Sequence, residues 1–204
     1  MNKLASIYFL QRLNLPTIHP NIIRGRSESQ VRREVDSFYH NRELGWVLRC
    51  GELPDEHARV EKGLPWNKLK DKEEVVKGIL KMQKDVGQRY VVFCHPALNL
   101  IRGGTMLVEG DRVTIEAATG NDMELSDMFR GHRNPEQTIV FKPGMMSHTY
   151  SGKPVLTRSD LYDIRSVERR LNWHDLDAVV DPVVVEFSRL GDGSLYIHDL
   201  SVVR

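Results

Sequence analysis

Cysteine is scarce in this sequence, and the two cysteines are far apart. Cys50 and Cys94 are the only ones among 204 residues, and neither lies at zinc-site spacing from other plausible ligands. The sequence therefore indicates neither a disulfide framework nor a structural zinc ion. We expect two buried thiols in a reducing compartment, which makes the cytoplasm the expected location.

Long apolar runs are also missing. Apolar runs such as Val183 to Val185 and Tyr90 to Cys94 fall far short of the roughly 20 residues that a transmembrane helix needs, and the N-terminal stretch shows no cleavable signal pattern. The 29 basic and 28 acidic residues nearly cancel, so no overall electric field favours a membrane surface or nucleic acid. We expect no membrane contact, and we do not expect nucleic acid as a partner.

The composition that is present is typical of a soluble globular protein. Hydrophobic residues make up 40% and charged residues 28% of the chain, and no repeat, low-complexity segment or Ser/Gly linker occurs. A chain of this length can bury a full core as one large domain or as two closely packed lobes. We expect two lobes, residues 1–95 and 96–204, with a tight boundary near residue 96.

Apolar residues at helical spacing, together with capping-box patterns, predict helices over residues 2–13, 28–39, 72–86 and 159–174. Apolar runs and turn signals predict strands over residues 46–49, 90–95 and 138–142, and two more about the turn Glu109-Gly110-Asp111. A polar, glycine-containing connection is expected before the strand at 138–142. Mixed helices and strands followed by antiparallel hairpins indicate an α+β fold.

The stretch VEFSRLGDGSLYIHDLS predicts a hairpin about Gly191-Asp192-Gly193. If its loop has two or four residues, Glu186 lies directly opposite Asp199, with the Cβ atoms about 5 Å apart. Like charges at that distance repel unless a cation lies between them. Because Mg²⁺ prefers oxygen ligands and commonly uses one or two carboxylates, this pair is a candidate magnesium site.

Two alternatives for this hairpin require no metal ion. A loop of three residues would shift the register by one position and put His198 opposite Glu186. Otherwise, one of the two carboxylates is a solvated strand residue that pairs with Arg189 or Arg204.

Arginine and lysine are the side chains that would contact phosphate groups. Arg49 ends an apolar strand before Cys50-Gly51, where the backbone can approach a ligand closely, and Lys3 is a second candidate. Gly103-Gly104 is either a phosphate-cradling loop or a bulge or turn. The last predicted helix carries three arginines on its expected solvent face, where RNA contact is the alternative to a solvated surface: Arg165, Arg169 and Arg170.

Five stretches follow one another along the chain: NKLASIYFLQRLNLPT, WVLRCGELPDE, YVVFCHP, IEAATGN and VEFSRLGDGSLYIHD. In this order they resemble the nucleotide-binding domain of pyruvate phosphate dikinase and phosphoenolpyruvate synthase. The last stretch is similar to the closing motif of ATP-grasp enzymes in general. The resemblance covers nearly the whole chain.

This resemblance implies an ATP-grasp fold, in which two α+β lobes with antiparallel sheets clamp ATP. It implies that Glu186 and Asp199 bind Mg²⁺. The residues that it places at the nucleotide are Lys3 and Arg49 for the phosphates, with Arg49 also the expected catalytic residue, and Phe93, Cys94 and His95 for the adenine. The implied activity is that of a transferase or kinase, or of an ATP-dependent ligase, on an unknown acceptor substrate.

The sequence departs from this family in several places. Only Met1 and Asn2 precede Lys3, where the family has glycines, and Asp199 and Ser201 stand where a glutamine and an arginine are typical. The phosphohistidine domain and the barrel that forms phosphoenolpyruvate have no counterpart, so full dikinase activity is not expected from this chain. The departures leave open a degenerate, non-catalytic ATP-grasp-like module that binds or regulates a partner protein subunit.

Overall fold

The computed structural model describes residues 3–52, 66–87, 90–145, 147–171 and 181–202. The chain divides into two compact units, of which the first consists of Met1–Ala5 and Ile18–Leu98 and the second of Ser6–Thr17 and Asn99–Arg204. The chain therefore passes from one unit to the other after residues 5, 17 and 98. The assignment of residues 1–95 and 96–204 as nucleotide-clamping lobes stays a prediction.

The helices are α1 (Lys3–Arg12), α2 (Glu28–Phe38), α3 (Lys72–Val86), α4 (Asp122–Phe129) and α5 (Arg158–Arg170). The strands of the first unit are β1 (Asn21–Ile23), β2 (Trp46–Glu52), β3 (Trp66–Leu69) and β4 (Tyr90–Pro96). Those of the second unit are β5 (Leu100–Glu109), β6 (Arg112–Thr119), β7 (Gln137–Phe141), β8 (Thr149–Gly152), β9 (Val183–Leu190) and β10 (Leu195–Val202). None of the helices in these described ranges has the length and apolar character that crossing a membrane requires.

The first unit is an antiparallel sheet covered on one face by two helices. Its strand order is β1-β4-β2-β3. Capping boxes start both helices: the Ser27 side chain accepts the Gln30 N–H, and the Asp71 side chain accepts the Glu74 N–H. The apolar stripes of α2 and α3 form a core with every second residue of the central strands, namely Val31, Val35, Val75, Ile79, Trp46, Leu48, Cys50, Val92 and Cys94. The alternate residues of β2 and β4 lie on the opposite face.

The second unit is an antiparallel sheet with the strand order β10-β9-β5-β6-β7-β8. Helix α4 packs over part of one face, where Leu125 and Met128 contact Ala118. The outer edge of β10 is covered by α1 and the chain that follows it: the Leu200 N–H donates to Ser6 Oγ in α1 at 2.7 Å, and the Ile197 N–H donates to the Pro16 carbonyl, also at 2.7 Å. These bonds satisfy backbone groups that an edge strand would otherwise expose.

The predicted α+β class is confirmed, and the structure has helices at each of the predicted places. The part of the last predicted helix beyond residue 171 lies outside the described residues. Helix α4 lies in the stretch that was predicted to be an irregular connection. Its start has a capping box, since the Asn121 side chain accepts the Glu124 N–H and the Glu124 side chain accepts the Asn121 N–H. The short strands β1, β3 and β8 were not predicted either.

Gly103 and Gly104 are not a phosphate-cradling loop. They lie inside β5, which pairs with β6 on one side and with β9 on the other. A Cβ atom on Gly104 would lie 2.1 Å from the Glu116 carbonyl oxygen, and one on Gly103 would lie 2.6 Å from the Phe187 carbonyl oxygen. These glycines are therefore needed for close packing of backbone against backbone.

The predicted arginine face of the last helix is wrong for Arg165. This residue is only 7% exposed, its guanidinium carbon lies 4.4 Å from the centroid of the Phe141 ring, and its Nη1 donates to the Met145 carbonyl at 2.6 Å. Helix α5 thus uses Arg165 to hold the segment that follows β7. Because Arg165 is buried, the three arginines do not form one exposed face that could bind RNA.

A buried network of charges joins α5 to two central strands. Asp160 accepts hydrogen bonds from Arg189 Nε at 2.6 Å and from Arg102 Nε at 3.0 Å. Burial by itself would raise the pKa of Asp160, but the Thr157 backbone N–H, the Arg102 guanidinium and the Thr157 hydroxyl outweigh it, so this pKa lies below its ordinary value. Arg189 also donates through Nη1 to the Gly193 carbonyl at 2.7 Å. The network therefore ties the terminal hairpin to α5.

We expect Asp160→Ala to lower the free energy of unfolding by about 3 kcal/mol, because it removes the buried carboxylate that pairs with both Arg189 and Arg102 and leaves Arg189 only the more exposed carboxylate of Asp163. Urea unfolding followed by circular dichroism measures this loss. Glu28→Ala is the matched control: it removes an exposed carboxylate from Arg32 and should cost less than about 1 kcal/mol. Equal losses in the two variants would contradict the importance of the buried network.

Candidate functional site

The terminal hairpin has a loop of three residues, Gly191 to Gly193. The Leu190 N–H donates to the Ser194 carbonyl at 2.9 Å, and the Gly193 N–H donates to the Leu190 carbonyl at 3.0 Å. Gly193 has a φ of 87°, in the left-handed region that glycine adopts without strain. Of the loop lengths considered from the sequence, the structure therefore has the three-residue alternative.

A β-bulge at His198 nevertheless brings the two predicted carboxylates together. Near the loop, Tyr196 lies opposite Ser188; after the bulge, Asp199 lies opposite Glu186, and His198 is the extra residue between these registers. The loop shifts the register by one position, and the bulge shifts it back. Glu186 and Asp199 therefore face each other as expected, although by a different route.

The carboxylate pair begins a row of oxygen-bearing side chains that crosses the whole sheet of the second unit. Residues that are direct partners on neighbouring strands share one face of a sheet. The pairing gives the order Asp199, Glu186, Thr105, Glu116, Thr138 and Ser151. Within this row, Asp199 Oδ1 also accepts the Leu200 N–H at 2.9 Å. This face of the sheet therefore presents hydroxyl and carboxylate oxygens at each of its strands.

The donor set of the pair fits a hard divalent cation that brings further ligands with it. Glu186 and Asp199 are half-buried and offer the oxygen atoms that Mg²⁺ prefers. No group of three or more His, Cys, Asp or Glu side chains in the described ranges could hold a metal ion by itself. Since Mg²⁺ commonly completes its shell with phosphate oxygens and waters, the pair suits a metal ion that arrives with a phosphate ligand.

The alternative pairing with Arg189 is not what the structure shows. Arg189 lies three residues from Glu186 on β9, so the two side chains point to opposite faces of the sheet. Its guanidinium instead donates to Asp160, Asp163 and the Gly193 carbonyl. Arg204, the other arginine considered, lies outside the described residues.

In the first unit, three of the predicted nucleotide residues share one face of the sheet. Arg49 lies directly opposite Phe93, and Val47 lies opposite His95. This face is the one that α2 and α3 do not cover, because the alternate residues of the same strands belong to their core. Arg49 is half-buried, whereas Phe93 is fully buried. A cationic group and an apolar ring thus lie side by side.

The remaining two predicted residues have different surroundings. Lys3 begins α1 and acts electrostatically on His95. The Cys94 side chain faces the α2–α3 core, and burial raises the pKa of its thiol. A ligand on the Arg49 face could therefore contact only the main chain of Cys94. The roles of these residues at a nucleotide stay predictions.

His95 is a buried histidine that the structure keeps neutral. Its Nδ1 lies 2.9 Å from the Pro96 carbonyl, and because a carbonyl only accepts, Nδ1 carries the proton. Burial lowers the pKa of His95 to about 3, and the positive charges of Arg49 and Lys3 add to this effect. The neutral imidazole therefore adds no third positive charge beside Lys3 and Arg49.

We expect His95→Gln to flatten the decline of stability in acid. Between pH 6.5 and about 3, the unfolded chain binds a proton at His95 that the folded chain does not, so the native state loses stability as the pH falls. The loss approaches about 1.4 kcal/mol per pH unit. Urea unfolding at several values between pH 7 and pH 5 measures it, with His132→Gln at an exposed position as control. Parallel pH profiles for wild type and His95→Gln would contradict the buried neutral state.

Three aromatic side chains meet at the bulge, and the sequence predicts a site role for none of them. The His198 ring lies 5.9 Å from the Tyr196 ring and 6.4 Å from the Phe129 ring, measured between centroids. Burial raises the pKa of Tyr196 to about 12. A signal for the bulge is nevertheless present in the sequence. The spacing of the apolar residues Leu195, Ile197 and Leu200, all buried, changes from two to three, which indicates a bulge at residues 198 and 199.

Comparisons with known proteins give a match in structure only. No family model matches the chain, and no curated protein sequence does. Among solved structures, D-alanine–D-alanine ligase from Helicobacter pylori matches with a TM-score of 0.58 and 10% identity over 100% of this chain and 51% of that one. D-alanyl-alanine synthetase A from Vibrio cholerae matches with a TM-score of 0.57 and 10% identity over 98% and 54%. Carboxyaminoimidazole ribonucleotide synthase from Aspergillus clavatus, complexed with ATP, gives 0.56 and 9% over 97% and 43%.

These similarities show the fold of the chain. The architecture is the ATP-grasp fold, with helices and two antiparallel sheets. The chain spans about half the length of the solved structures that it matches. The predicted ATP-grasp fold is thus confirmed, and the narrower resemblance to the dikinase type stays a prediction.

Proposed function

We propose that this protein binds ATP together with Mg²⁺ and uses it in phosphoryl transfer or in ATP-dependent ligation of an acceptor substrate. The observation that carries the proposal is the direct opposition of Glu186 and Asp199 across β9 and β10. Two like charges held opposite each other are unfavourable by themselves. Their adjacent carboxylate oxygens are the ligands that a magnesium ion bound with a phosphate group prefers.

Each predicted residue has a role that its chemistry supports. Glu186 and Asp199 would hold the metal ion, which would neutralise phosphate charge when it is bound. Lys3 and Arg49 contact phosphate oxygens, since both are cations and the guanidinium of Arg49 offers several N–H donors. Phe93 and His95 are proposed to line the adenine with an apolar and a neutral group, although both are buried in this structure. Positioning and charge stabilisation of this kind account for most of the catalysis in phosphoryl transfer.

The comparisons, rather than the site, bear on the type of reaction that we propose. The similar structures are ligases and synthases, which favours ligation over a kinase reaction. The order of the five sequence motifs, in contrast, supports a domain of the dikinase type. Both reactions begin with transfer of a phosphoryl group from ATP, and both therefore need the same carboxylates and cations.

A degenerate binding or regulatory module is the second candidate, and Ser201 favours it. Ser201 lies two residues after Asp199 and so shares its face of the sheet, at the place where the dikinase family typically has an arginine. A serine there provides no positive charge for a phosphate. Such a module would bind a nucleotide without turning it over, or would bind none, and would act through a partner protein.

Asp199→Asn tests the site, because the amide removes the charge but retains an oxygen that can accept the Leu200 N–H. We expect ATP and Mg²⁺ together to raise the melting temperature of the wild type by several degrees at saturating concentrations. The variant should lose the part of this increase that requires Mg²⁺. Differential scanning fluorimetry with ATP alone, Mg²⁺ alone and both measures it.

The matched control is Glu116→Gln, which removes a carboxylate from the same row, two strands or roughly 10 Å from Glu186. This variant should respond to Mg²⁺ and ATP as the wild type does. A wild type that does not respond would argue for the degenerate module. A response that Asp199→Asn leaves intact would refute the assignment of the metal ligands.

A further inference from the structure

His198 is one residue more than the terminal hairpin needs. In the register next to the loop, Ile197 pairs with Phe187, so the next position along β10 would pair with Glu186. If His198 were deleted, Asp199 would move into that position and would still face Glu186, and the pairs beyond it would also be kept. In a chain without His198, the two carboxylates would therefore face each other without any bulge. Its effect is to add the side chain of His198.

The added side chain lies on the same face of the sheet as the carboxylate pair. Tyr196 pairs with Ser188, which is two residues from Glu186 on β9 and so shares its face. The His198 ring contacts Tyr196 on this face and Phe129 at the end of α4. Phe129 itself packs with Ala118 and the rest of the α4 cluster. The imidazole is thereby held between α4 and β10.

His198 is the extra residue of the bulge and directly precedes Asp199, the partner of Glu186. Bulges are common next to active sites, where they redirect a side chain. Here the bulge places an imidazole on the face of the sheet that carries the two carboxylates. A carboxylate only accepts hydrogen bonds, whereas an imidazole always carries at least one N–H that can donate.

We propose that His198 is a further nucleotide-binding residue, which donates an imidazole N–H to a phosphoryl oxygen of ATP held at Glu186 and Asp199. This inference rests on the proposed function. Phosphoryl oxygens are acceptors, so they match an N–H donor that the carboxylates cannot provide. The metal ion prefers oxygen ligands, so the imidazole binds the phosphate group rather than the metal ion.

His198→Phe is the main test, because phenylalanine keeps a ring for the contacts with Tyr196 and Phe129 but has no N–H. Isothermal titration calorimetry should show about tenfold weaker binding of Mg-ATP, as expected for loss of one hydrogen bond to a charged group. His198→Asn, which retains an N–H donor, should recover part of the affinity. His132→Phe, at an exposed position, is the matched control and should bind as the wild type does.

Two further measurements separate a binding role from a structural one. Deletion of His198 removes the side chain while keeping the other strand pairs, so the deletion variant should fold and show a similar loss of affinity. In protein labelled with ¹⁵N-histidine, Mg-ATP should shift the ring nitrogen resonances of His198, and the resonances of His132 should stay unchanged.

The outcomes distinguish the inference from the proposed function. If the wild type does not bind Mg-ATP, both are overturned. If the wild type binds Mg-ATP, but His198→Phe and the deletion variant bind it equally well and the His198 resonances do not move, only the role of His198 is overturned.

Discussion

The register of β9 against β10 is the constraint on which the candidate site depends. Side chains alternate between the two faces of a sheet, so a slip of one residue would move Asp199 away from Glu186. The structure reaches the required register through a loop of three residues and a bulge that compensates for it. The network of Asp160 and Arg189 then ties the loop to α5. The ion pairs of Arg189 on one face of the sheet thus help to hold the two carboxylates in place on the other face.

The sequence predicts much of the fold because local signals are strong. Helices α2 and α3 begin at Ser27 and Asp71, where an N-cap side chain and an acid or amide three residues later form a capping box. Asn121 and Glu124 carry the same signal for α4, but the short amphipathic stretch after them is easily taken for a connection. The strands β1, β3 and β8 have three or four residues each, which is too short for an alternating pattern to be recognised.

The arrangement of the site was only partly predictable. Gly191-Asp192-Gly193 fits loops of two, three or four residues, so the turn alone cannot fix the register. The apolar positions 195, 197 and 200 could have done so, because a change of spacing inside a strand indicates a bulge. For Arg165, helical periodicity assigns a charged residue to the solvent side. Its burial against Phe141 depends on the position of another strand, which no local pattern reports.

The contact between the chain after α1 and the last strand has a consequence for the order of folding. Thr17 and Ile197 are 180 residues apart in sequence, yet the Thr17 hydroxyl donates to the Ile197 carbonyl at 2.8 Å. The sheet of the first unit can form once Pro96 has been synthesised, whereas the second unit requires β10. Closing so long a loop is slow, and contacts between distant residues lower the folding rate. During synthesis, the segment Ser6–Thr17, which belongs to the second unit and includes the fully buried Ile7 and Leu10, therefore waits for β10, and binding by a chaperone would protect it in that interval.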